Sequence, residues 1–161
     1  MKKIMTFAAV ILLTAITALA QDGRSIYNKY SDEKGVSCVY ISPAMFRMIG
    51  KVSDMDINGN DVNLSSIIKT MSGLYVIDSE NPKINSSLIG DVDRFISKGD
   101  YEMLMEAKDN GETVRIYTVG DETTVTSFVL LSKEADESTF ICLEGKMSRQ
   151  DLEKAISEAT K

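Results

Sequence analysis

The sequence predicts an α+β fold: a single domain over residues 21–161, with helices packed on a mainly antiparallel sheet that ends in a four-strand meander. Three observations predict it. Apolar residues recur at helical spacing through the first two thirds of the chain. The period then changes to two after Gly99. Turn residues divide the remaining third into short, evenly spaced segments, and there is no repeat, low-complexity stretch or Pro/Gly linker to mark a second domain.

The elements run in order from the N-terminus. Residues 23–31 carry Ile26, Tyr27 and Tyr30 at helical spacing, and Gly35 then admits a strand over 36–41. Ser42-Pro43 is a helix start, an N-cap followed by proline at the first helical position, and AMFRMI supplies one or two turns before Gly50. Beyond a polar loop, Leu64, Ile67, Ile68 and Met71 mark a buried helical face, and SGLYVIDS (72–79) reads as a second strand. Asn81-Pro82 repeats the cap-and-proline device, Ile84, Leu88, Val92, Phe95 and Ile96 form an inner face, and Gly99 ends the helix.

Tyr101, Met103, Met105 and Ala107 then alternate against Glu102 and Glu106, and Asn110-Gly111 is a tight-hairpin signal. Residues 113–119, 124–131 and 138–144 continue as strands, with turns at Gly120-Asp121 and 134–137. Ser148 caps a last helix whose stripe is Leu152, Ala155, Ile156 and Ala159.

Residues 1–20 read as a signal peptide rather than part of the fold. Lys2 and Lys3 precede an apolar run over 4–16, and Ala18-Leu19-Ala20 supplies the small residues for cleavage before Gln21. No cysteine follows Ala20 for lipid attachment. The expectation is an exported protein of the periplasm or envelope, with no integral membrane span after cleavage. Loss of Lys2 and Lys3 takes 18 basic residues to 16 against 24 acids, a net charge of −8. With no basic cluster, nucleic-acid binding is not expected.

DMDINGND (54–61) resembles the front half of a calcium loop. Asp54, Asp56, Asn58, Gly59 and Asn60 fit an EF-type pattern, but Asp61 stands where an apolar residue belongs and Ser65 where the bidentate Glu belongs. A turn with Asp61 or Asn63 as the next helix cap accounts for every residue, so no metal is expected.

The chain has no histidine, which removes imidazole acid–base catalysis and His-activated Ser or Cys nucleophiles. No phosphate loop is present. The pairs Asp91/Asp93 and Glu102/Glu106 have the residue types for glycoside hydrolysis but read as surface solvation, and no local signature marks a Ser/Lys dyad. No catalytic residue and no cofactor are expected. Met45, Met48, Met55, Met71, Met103, Met105 and Met147 read first as core filling, and second as an adaptable apolar binding face. Cys38 and Cys142, each in an apolar strand, read as two buried free thiols; a disulfide between them requires the first and last strands to be neighbours.

YSDEKGVSCVYISPAMFRMIG (30–50), SGLYVIDSE (72–80) and ICLEGKMSRQDLEKAI (141–156) together resemble a family of small exported Bacteroidetes proteins defined by a domain of unknown function. The resemblance implies genes beside those for extracytoplasmic-function sigma factors, hence a role in envelope stress or signalling. Some relatives are lipoproteins; Gln21 departs from that pattern. The function expected is therefore a non-catalytic envelope protein that binds a protein partner. The alternatives are a hydrolase acting on cell-wall or glycan substrates and, more weakly, a calcium-dependent adhesion module. A cleft gathering perturbed acids would favour the hydrolase, and a broad apolar patch would favour protein binding.

Overall fold

In the computed structural model, residues 22–53 and 64–153 are described. Asp22 opens the first helix, α1 (Gly23–Tyr30), its side chain accepting the Ser25 N–H at 2.9 Å. α1 buries Ile26 and Tyr30. Gly35, at φ 76°, turns the chain into β1 (Val36–Ile41). Ser42 Oγ accepts the Met45 N–H at 3.3 Å and starts α2 (Pro43–Ser53). α2 runs through Gly50 rather than stopping there. A Cβ at Gly50 would lie 2.6 Å from Lys69 Cγ, so the missing side chain is what lets α2 approach α3 (Leu64–Lys69).

β2 (Met71–Ser79) alternates strictly in burial. α4 (Pro82–Lys98) begins where Asn81 Oδ1 accepts the Lys83 N–H at 3.1 Å, and Gly99 caps its end. The meander comes next as β3 (Glu102–Asp109), β4 (Glu112–Gly120), β5 (Thr124–Lys133) and β6 (Ser138–Ser148), and residues 149–153 are helical. Asn110 and Gly111, at φ 47° and 92°, make the β3–β4 turn with Asp109 facing Glu112. Asp121 closes the next, its Oδ1 accepting the N–H groups of Thr123 and Thr124 at 2.8 and 2.7 Å.

The six strands form one antiparallel sheet in the order β1-β2-β6-β5-β4-β3. The fold is α+β, as expected. What the local pattern did not give is the place of β6, which slots between β5 and β2 and joins the meander to the N-terminal hairpin. α1 and α4 cover one face over a core that includes Tyr75, Ile77, Leu88, Val92, Val129 and Phe140. α2 and α3 cover one end of the other face, where Phe46, Ile67, Met71, Val125 and Met147 pack with Ile41, Leu74 and Leu143.

β1 and β6 are not neighbours. Cys38 pairs with Ile77 and Cys142 with Tyr75, so β2 lies between them and both thiols are free. Two strand spacings, about 9.6 Å, exceed the reach of a disulfide. Cys142 is buried; Cys38 is only half-buried, which corrects half of the buried-thiol expectation.

The methionines correct the sequence reading further. Met71 and Met147 are buried, but Met45, Met48, Met103 and Met105 are exposed. β3 is an edge strand exposed along its whole length, and a register shift falls between its methionines: Met103 faces Tyr117, Met105 faces Ile116, and Leu104 is the extra residue. The two methionines therefore point to opposite faces, and every residue of β3 is exposed. The cleavage position before Gln21, the loop 54–61 and the stripe residues Ala155, Ile156 and Ala159 lie outside the described residues.

Candidate functional site

Two regions combine access with unusual chemistry: the open face of the sheet and a polar cluster beneath α1. The open face is a consequence of register. Val39 faces Val76, Val76 faces Ile141, Ile141 faces Leu130, Leu130 faces Ile116, and Ile116 faces Met105. One aliphatic side chain from each strand thus makes a row across the whole sheet, about 24 Å from first to last Cα. Its ends are open, with Val39 52% and Met105 45% exposed, and the four residues between are half-buried.

The row is bounded on both sides. Toward α2 and α3 the next row contains Ile41, Leu74 and Leu143, which the helices cover. On the other side the row is polar over four strands, Ser37, Asp78, Thr139 and Ser132, and turns apolar at Val114 and Ala107; in it the Thr139 hydroxyl donates to Asp78 Oδ1 at 3.1 Å. Glu137 joins this rim: its hydrogen bond to Asp78 and the repulsion between the two carboxyls raise the Glu137 pKa. The result is an aliphatic strip with an acidic border at Asp78 and Glu137.

The polar cluster lies on the covered face. Glu144 Oε1 accepts the Gly23 N–H at 2.9 Å, so a β6 carboxylate caps the first turn of α1. The Tyr101 hydroxyl meets Ser127 Oγ at 2.9 Å, and Ser127 Oγ lies 3.7 Å from Cys142 Sγ. Burial pushes the Cys142 thiol up to about 12 and the Tyr101 phenol likewise to about 12, so both stay protonated at neutral pH. Burial also raises Glu144. A groove of 560 Å³ opens beside the cluster, lined by Asp22, Ser72, Thr126, Ser127 and Glu144 among others. Its two acids are already engaged, Glu144 by Gly23 and Asp22 by the cap of α1.

The carboxylate pairs singled out in the sequence do not meet in a cleft. Asp91 is not surface solvation: its side chain is 2% exposed and takes hydrogen bonds from Tyr30, Lys29 and Arg94. Asp93 lies 3.7 Å from Arg115, and Glu106 is held by Lys108 and Arg115, whose hydrogen bonds lower its pKa. Among the described residues no group of His, Cys, Asp or Glu is arranged to hold a metal ion, and no helix is long and apolar enough to cross a membrane.

Residues 30–155 match the family described as Domain of unknown function (DUF4252). The chain belongs to this family. The DUF4252 match begins at the last residue of α1 and takes in all six strands, so the aliphatic row lies entirely within it. A comparison with curated proteins finds no match.

Proposed function

We propose that this DUF4252 protein is exported and works without catalysis, docking a protein partner on the open face of its sheet. The observation that carries this reading is the six-residue row from Val39 to Met105, an apolar strip on a face that α1 and α4 leave uncovered. Apolar surface of this breadth beside a polar border has the make-up of an interaction site. The exposed Met45 and Met48 of α2 add adaptable side chains, the class of residue that repacks around a partner. A role in envelope signalling or stress, beside sigma-factor regulators, is the part of the proposal that rests on the resemblance alone. The hydrolase reading draws on Glu144, whose carboxylate is engaged by a backbone N–H, and the other acid of the groove, Asp22, is engaged by the cap of α1.

The test is affinity capture from the native envelope, with the partner then purified and titrated. Leu130→Asp and Ile116→Asp should each weaken binding at least tenfold while leaving the circular dichroism unchanged. Retention of full affinity in both variants would remove the open face from the function. Export is tested separately, by intact mass: the envelope form should begin at Gln21.

A further inference from the structure

The two edges of the sheet are built differently. β3 carries Glu102, Glu106, Lys108 and Asp109 and a register shift at Leu104, devices that keep an edge from pairing. β1, VSCVYI, carries no charge, no proline and no register shift. Its limits are set by Gly35 at φ 76° and by the Ser42-Pro43 helix start, so seven positions, 35–41, are open to pairing and Cys38 is their centre.

The ladder also fixes the direction of the backbone groups. The Glu80 N–H donates to Gly35 O at 3.0 Å, and that pair continues the register in which Val36 faces Ser79. Bonded and non-bonded pairs alternate along an antiparallel ladder. Residues 37, 39 and 41 therefore exchange hydrogen bonds with β2, while the N–H and C=O groups of Val36, Cys38 and Tyr40 point away from the sheet. Among the described residues no strand pairs with them.

We propose that two copies of the chain join through these edges, β1 antiparallel to β1 about a two-fold axis at Cys38, to form one continuous sheet. Only this centring lets each outward-facing residue meet another: Val36 meets Tyr40 of the second copy, Cys38 meets Cys38, and Tyr40 meets Val36. All three pairs fall on the face covered by α1 and α4, so the helical layers of both copies lie on the same side. Charge agrees with the register. Arg24 sits 5.6 Å over the Tyr40 ring at one end of β1, while Asp32 precedes the other end in the chain, its charge adding to burial in raising the Cys38 thiol's pKa. An antiparallel partner brings the Arg24 end of one copy to the Asp32 end of the other. This contact uses the sheet's edge and leaves the open face free, so it stands or falls independently of the docking of another protein.

Light scattering after size exclusion should give a dimer mass. In a Cys142→Ser chain, diamide as two-electron acceptor should take one proton and one electron from each Cys38 thiol and leave a covalent dimer. Facing residues of a bonded pair stand about 5.5 Å apart, within disulfide range. Cys38→Pro removes an outward N–H that β2 does not use, so it should weaken dimerisation at least tenfold with the fold intact. Val36→Pro repeats the test should Cys38→Pro fail to fold. A monomer mass at the highest soluble concentration would overturn the proposal. So would a dimer that survives both proline variants, or one that cross-links through a single cysteine placed at Lys108 on β3.

Discussion

The Tyr30 hydroxyl donates to Asp91 Oδ2 at 2.6 Å, joining the last residue of α1 to the middle of α4. Lys29 Nζ reaches the same oxygen at 2.5 Å and Arg94 donates to the other. Both cations are more than half exposed, so solvent screens most of their attraction. The energetic weight rests on the buried carboxylate and the buried phenol, each of which would be left without its partner by removal of the other.

Asp91→Ala should therefore destabilise by about 2 kcal/mol, and Tyr30→Phe by about 1 kcal/mol. Made in the Tyr30→Phe background, Asp91→Ala should cost less than it does alone, because the phenol it would orphan is gone. Urea denaturation of the four proteins checks this. Additive losses would assign the stabilisation to the cations instead.

Asp91 also illustrates what is legible in the sequence. It falls on the apolar stripe of α4, three residues after Leu88 and four before Phe95, and that placement signals burial even though its residue type points to surface solvation. Caps and tight turns are legible because their causes are local: Asn81-Pro82 and Asn110-Gly111 need only their own backbone. The exposure of Met103 and Met105 is not, because it follows from β3's place at the edge of the sheet, which long-range pairing decides. The insertion of β6 between β2 and β5 is likewise a long-range choice. The open apolar face is half legible. In TVTSFVLL both Phe128 and Val129, and both Leu130 and Leu131, are apolar, a run rather than an alternation, as suits a strand with apolar contacts on both faces.

Glu144 gives the fold a pH dependence of defined sign. Burial raises its folded pKa above the unfolded value of about 4.3. The folded state then binds more protons than the unfolded state between the two values, so stability falls as pH rises through that window. The penalty is absent below the unfolded pKa and complete above the folded one. Glu144→Gln keeps an acceptor for the Gly23 N–H and removes the charge. Its melting temperature should exceed that of the parent at neutral pH, with the difference closing below about pH 4. A difference independent of pH would mean that the carboxylate acts by shape alone.

The thiols should separate by reactivity. Cys142 is buried with its pKa pushed up to about 12, so almost none is thiolate at neutral pH. Cys38 is half-buried on an edge strand, where partial burial and the Asp32 charge raise its pKa while the residue stays partly open to solvent. Under native conditions a thiol reagent should titrate Cys38 and leave Cys142, and unfolding without reductant should then release the second thiol. Prompt native reaction at Cys142 would show that α1 opens readily over β6.

The packing of α1 on β6 rests on a glycine. A Cβ on Gly23 would lie 2.6 Å from Cys142 Sγ, 2.9 Å from Cys142 Cβ and 3.1 Å from Tyr75 Cδ2. The backbone cannot simply withdraw, because the Gly23 N–H is held by Glu144 and the same turn is capped by Asp22. Gly23→Ala should thus destabilise by about 1–3 kcal/mol through overpacking, although alanine is the better helix former. Cys142→Ala alone should cost about 1 kcal/mol for the lost buried sulfur. Together the two changes trade a clash for a filled space, so the double variant should be more stable than Gly23→Ala by itself. The remaining Cβ contact keeps the recovery partial. Denaturant midpoints of the three variants and the parent measure the coupling, expected at about 1–2 kcal/mol. Losses that simply add would mean that α1 shifts on the sheet without resistance, and that the glycine is there for some reason other than this contact.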